Sequence, residues 1–89
     1  MNNSVYEYDS VYTLKNYGEI NVNLKEVMNK KGIKRGKLSN MAAMSYDLVN
    51  RYYNNKVRRV DLDVIARFCY VLGCGVEDIL KYTPDEKSN

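Results

Sequence analysis

The chain has 89 residues, with 14 Lys+Arg against 11 Asp+Glu, nine Tyr, two Cys and no His. That length supports one small domain with a single modest core, and a hydrophobic fraction of 45% argues against wholesale disorder. The absence of His excludes His-based catalysis, two Cys fall short of a four-ligand zinc site or a disulfide scaffold, and no apolar run reaches the ~18–20 residues that span a bilayer. The net charge of +3 conceals an uneven distribution. Residues 1–22 carry net −2, residues 23–60 carry ten bases and two acids, net +8, and residues 61–89 carry net −3. The basic middle suggests a face that seeks a polyanion, and a solvated Lys-rich face is the plain alternative.

Taken in chain order, residues 1–20 are dominated by Tyr and β-branched residues and show no helical stripe. Asn16-Tyr17-Gly18 has turn composition and predicts a β-hairpin between 11–15 and 19–22; a loosely ordered tail is the alternative. A lone hairpin is marginal in water, so this arm needs the helices or a second chain to pack on. Leu24, Val27 and Met28 then predict a helix over 22–31, with Lys30 and Lys31 in its last turn and Gly32 as its left-handed stop. A second helix is expected over 35–42, with Leu38, Met41 and Ala42 inward and a weak start at Lys34. After a turn at Ala43–Met44, Ser45 caps a third helix whose apolar side is Leu48, Val49, Tyr52 and Tyr53, and Asn54–Asn55 end it. A basic loop, Lys56 to Val60, precedes Asp61 as the cap of a fourth helix over 62–72. The expected stripe of that helix is Leu62, Ile65, Phe68, Cys69 and Leu72. Gly73 stops it, and a fifth helix is expected over 76–82, with Ile79 and Leu80 inward and Pro84 closing the ordered part. Cys69 and Cys74 fall on apolar positions and read as core thiols.

The stretch RGKLSNMAAMSYDLVNRYYN, residues 35–54, has helix-turn-helix spacing. Leu38 and Ala42 face inward, Ser39 lets two helices approach closely, and Val49 and Tyr52 lock the second helix on the first. Together with VRRVDLDVIARFCYVLGCGVEDIL, residues 57–80, it resembles the lambda-repressor/Cro-like DNA-binding family, and within it the small single-domain bacterial or phage-type regulators. The resemblance covers about residues 22–82. It implies an all-α, five-helix lambda-repressor-like domain, preceded here by the Tyr-rich extension that has no counterpart in the minimal family domain. The family usually carries Ser or Thr, Ala and Gly where this chain has Lys34, Ser39 and Ala43. Ala at a position that requires positive φ costs about 1 kcal/mol relative to Gly.

By resemblance, the base-reading positions fall on Tyr46, Asp47, Asn50 and Arg51. The chemistry agrees: Asn pairs bidentately with adenine, Arg with guanine, and Asp accepts from cytosine N4. Asp47 can instead serve only the helix dipole, and Tyr46 can be a packed edge residue. Arg35, Ser45 and Asn54 occupy family backbone-contact positions, and Lys37, Lys56, Arg58 and Arg59 add charge nearby, giving a phosphate-contacting set. No catalytic, cofactor or metal residue is expected, and no small-molecule ligand or membrane partner.

The expectation is therefore a sequence-specific, double-stranded DNA-binding transcriptional regulator, reduced and cytoplasmic, and nucleoid-associated when bound. One helix-turn-helix makes few base contacts, so a homodimer on a palindromic operator is the natural form. The organisation expected is an arm for dimerisation at 1–20, the DNA-binding domain at 21–82 and a flexible tail at 83–89. The alternative is a protein-interaction module, of an anti-repressor or antitoxin-like kind, that retains the fold without specific DNA binding.

Overall fold

Five short helices in the expected order are gathered round one core, and the two ends of the run are tied by a small sheet. The computed structural model describes residues 16–85. The elements are β1 (Glu19–Val22), α1 (Leu24–Lys31), α2 (Arg35–Met41), α3 (Tyr46–Tyr53), α4 (Leu62–Leu72), α5 (Val76–Ile79) and β2 (Leu80–Thr83). Gly32 and Gly73 end α1 and α4 in the left-handed conformation, at φ 68° and 62°. Ser45 caps α3 by accepting from the Leu48 amide at 3.1 Å, and Asp61 caps α4 by accepting from the Asp63 amide at 2.9 Å.

The all-α expectation is amended by the sheet. β1 and β2 pair antiparallel, Glu19 with Thr83 through Val22 with Leu80. Residues 80–82 were expected to continue the fifth helix and instead form β2. Pro84 disfavours a helical conformation at Thr83, and Tyr82 and Thr83 suit a pleated strand. The Asn23 amide donates to the Ile79 carbonyl at 2.6 Å, which carries the pairing to the start of α1. Residues 19–22 do form the expected strand, but its partner among the described residues is 80–83. The expected partner, 11–15, lies outside the described residues. Ahead of β1 the Gly18 amide donates to Asn16 Oδ1 at 2.9 Å.

Seven side chains form the fully buried centre: Leu24, Met28, Leu38, Val49, Tyr52, Phe68 and Ile79. Tyr52 and Phe68 meet edge to face, with centroids 5.4 Å apart. The stripe of α4 is shifted from the expected one. Val64 is buried, whereas Leu62 is 81% exposed, because the buried face of α4 is rotated toward Val64 and Phe68 and away from Leu62. Met41 likewise points outward at the end of α2, where Ala42 fills the inward position.

Asn55 fastens the sheet to the helix bundle. It adopts φ 57°, which Asn tolerates. Its Oδ1 accepts from the Val22 amide at 2.8 Å and its Nδ2 donates to Asn21 Oδ1 at 2.7 Å. The end of α3 is thereby bonded to β1.

Candidate nucleic-acid interface

α2 and α3 are joined by a tight turn, and the conformation of that turn decides how α3 is presented. Ala43 takes φ 55°, the left-handed value for which the family usually uses Gly. Two side chains hold the turn in place. Ser39 Oγ donates to the Met44 carbonyl. Arg67, from α4, donates from Nη1 to the Ala42 carbonyl at 3.1 Å and to the Ala43 carbonyl at 3.0 Å. Its Nε is 3.1 Å from Asp63 Oδ2, one helical turn earlier, which aims the guanidinium. Arg67 was not singled out from sequence; it lies 24 residues from Ala43, and nothing local marks the contact. Replacing Ala43 by Gly is expected to stabilise the chain by about 1 kcal/mol, because Gly adopts this conformation without a Cβ penalty. Urea unfolding followed by circular dichroism reads the shift in midpoint. No gain would mean that Arg67 and Ser39 already absorb the strain.

α3 buries Val49 and Tyr52 and turns its other side to solvent. Tyr46, Asp47 and Arg51 are exposed and Asn50 is half-buried, so the four candidate base-reading residues share one accessible side. Ser45 and Asn54 stand exposed at the two ends of the helix. Lys37 on α2, and Lys56, Arg58 and Arg59 in the loop after α3, are exposed as well. Tyr52 is a core residue: its hydroxyl accepts from the Asp61 amide at 3.1 Å, which fixes the start of α4.

Arg35 has a more specific setting than a surface cation. Its guanidinium lies 4.4 Å from the centroid of the Tyr53 ring and 5.8 Å from that of Tyr46. Its Nη1 donates to Asn50 Oδ1. Tyr53 is thus a half-buried platform between helices, with Lys25 Nζ 5.6 Å from its centroid. The structure joins one candidate phosphate residue and one candidate base reader into a single unit. The sequence contains the residue types but no sign of the pairing.

The basic segment does not all face one way. Lys30 and Lys31 line a hollow with Glu26, Cys74, Asp78 and Lys81, at the far end of α1. They belong to the charge of residues 23–60 but are grouped with the α4–α5 corner, so the +8 segment overstates the charge beside α3. In that corner the Cys74 thiol has its pKa pushed up, first by burial and then by the neighbouring Cys69 and Asp78, while Lys31 opposes the shift. A raised thiol pKa disfavours the reactive thiolate, in keeping with a packing role. Asp61 and Asp78 are occupied by amides of their own helix starts, Asp78 Oδ2 accepting from the Gly75 amide at 3.0 Å. Among the described residues no three metal-ligating side chains come together, and no helix is long and apolar enough to cross a membrane.

Two helices set by a tight turn, with the second exposing one polar side, define a helix-turn-helix protein. The Cro/C1-type HTH DNA-binding domain matches residues 23–85, and the chain belongs to that family. Among solved structures it is similar to a candidate DNA-binding protein from Bacteroides fragilis, with a TM-score of 0.64 at 17% identity, over 71% of this chain and 100% of that one. It is also similar to the transcriptional regulator VanUg, with a TM-score of 0.62 at 20% identity, over 81% of this chain and 95% of that one. At these identities the likeness is one of fold. No curated protein matches the chain.

Proposed function

We propose that this chain is a sequence-specific transcriptional regulator that inserts α3 into the major groove and binds a palindromic operator as a homodimer. The observation that carries the reading is the exposed polar side of α3, where Asp47, Asn50 and Arg51 stand on a helix seated by Val49 and Tyr52. Asp47, Asn50 and Arg51 offer edges complementary to bases, with Tyr46 beside them for a thymine methyl or a phosphate. Arg35, Lys37, Ser45, Asn54, Lys56, Arg58 and Arg59 fix register on the phosphates. Arg51→Ala should cost about 1–3 kcal/mol at one base pair and relax the preference there. Binding assays on duplexes varied at single positions measure this. An equal loss on all sequences would remove Arg51 from the base readers.

The dimer is supported by the tip of the sheet. Ile20 and Tyr82 are paired and lie on one face, 65% and 62% exposed, next to the point where residues 1–15 join the described chain. Residues 1–20 and this tip are the proposed dimerisation surface, residues 21–82 the DNA-binding unit and residues 83–89 a tail. Removing residues 1–15 spares β1 and should weaken self-association while leaving the helices folded. Analytical ultracentrifugation of the two chains reads the difference, and an unchanged oligomer would place the dimer contact elsewhere.

A further inference from the structure

We infer that Arg67 is a positioning residue for DNA reading: it clamps the turn between α2 and α3 in the left-handed conformation that Ala43 disfavours, and so holds α3 at the angle its base-reading side needs. The inference rests on the DNA-reading function proposed above. A single atom, Arg67 Nη1, donates to the Ala42 carbonyl at 3.1 Å and to the Ala43 carbonyl at 3.0 Å. Those carbonyls belong to the peptide groups on either side of the Ala43 Cα. Rotation about φ or ψ of Ala43 turns one peptide group against the other and breaks at least one of the two bonds. The pair of bonds therefore fixes the torsions that set the direction in which the chain leaves α2.

The clamp has the chemistry that this place needs. The last carbonyls of a helix lack intrahelical partners and carry the negative end of its dipole, so a cation seated there is favoured. Ala42 is the C-cap of α2. The planar guanidinium has five donors, so Nη1 serves the turn while Nε stays 3.1 Å from Asp63 Oδ2. The backbone of Arg67 is itself fixed, because its neighbour Phe68 is fully buried. Ala43, at φ 55°, carries a Cβ that disfavours this conformation, which Gly adopts freely. Without the clamp, α3 keeps its seat on Val49 and Tyr52 but takes more than one angle to α2, and only one angle matches the groove. Affinity for a specific site then falls by the fraction of chains holding that angle. Phosphate contacts carry no sequence information and come from long side chains that follow small shifts, so non-specific binding falls little.

The test compares the full chain with Arg67→Met, Ala43→Gly and the double variant, each checked for folding by circular dichroism. Affinity is measured across a salt series for the duplex that the unsubstituted chain selects from random DNA and for a shuffled duplex. Arg67→Met should weaken binding to the selected duplex by about tenfold, as for one lost bond to a charged group, and binding to the shuffled duplex by less than about twofold. In the Ala43→Gly background the same substitution should cost no more than about threefold, because Gly holds the turn without a clamp. Should Arg67→Met not fold, Arg67→Gln, whose amide can donate to only one carbonyl at a time in good geometry, carries the same comparison. An equal loss on both duplexes, with a salt slope lowered by about 0.9, would make Arg67 a phosphate contact and overturn the inference. No loss on the selected duplex, or an undiminished tenfold loss in the Ala43→Gly background, overturns it too. Failure of the unsubstituted chain to tell the two duplexes apart would instead overturn the DNA-reading function, and the inference with it.

Discussion

Tyr52→Ala is expected to leave the chain largely unfolded or close to it at room temperature. Tyr52 is 2% exposed, meets Phe68 edge to face and sits on the buried side of α3. Removing so large a buried ring typically costs about 3–5 kcal/mol. A domain of 89 residues buries too little surface to sit far above the low end of the roughly 5–15 kcal/mol by which folded proteins are stable, so this loss removes most of what it has. The loss would also unseat α3 and so abolish DNA binding. Tyr52→Phe separates the two roles of the side chain. It keeps the ring and deletes only the hydroxyl that accepts from the Asp61 amide, for a cost of about 1 kcal/mol. Urea titrations of both variants measure the two costs. A loss below about 1 kcal/mol for Tyr52→Ala would mean that the α3–α4 contact is not the centre of this core.

Arg58→Ala together with Arg59→Ala should flatten the salt dependence of DNA binding. Each phosphate neutralised contributes about 0.9 to the slope of log affinity against log salt, so two lost contacts lower it by about 1.8. Both side chains are exposed in the loop that follows α3, where chain direction brings them past the end of the reading helix. The double variant should bind more weakly to every sequence at low salt and approach the unsubstituted chain at high salt. Fluorescence anisotropy across a salt series reads the slope directly. An unchanged slope would take Arg58 and Arg59 off the DNA and leave Arg35, Lys37 and Lys56 as the proposed basic phosphate contacts.

Much of the fold was legible because it is written in local signals. Gly32 and Gly73 end their helices, Ser45 and Asp61 begin theirs, and the spacing of Leu24, Val27 and Met28 gives the face of α1. What was not legible depends on partners far away in sequence. The pairing of Glu19–Val22 with Leu80–Thr83 joins the two ends of the fold, and a helix over 80–82 was the local expectation. Leu62 and Met41 fit the helical periodicity yet point outward, because periodicity gives a face but not where the core stops. The exposed side of α3 was readable from Val49 and Tyr52. The bonds that make Arg35 and Asn50 one unit, and the grip of Arg67 on the turn, span 15 and 24–25 residues and needed the fold.

The central claim is that α3 discriminates between DNA sequences. The most direct measurement is the affinity of the full chain for its best selected duplex against a shuffled duplex of equal length and composition, at physiological salt. A specific regulator should bind its site at least about 10³-fold more tightly, and the site should be a palindrome with half-site centres about 34 Å apart. Equal affinity for the two duplexes would contradict it, and would favour the interaction-module reading of this fold.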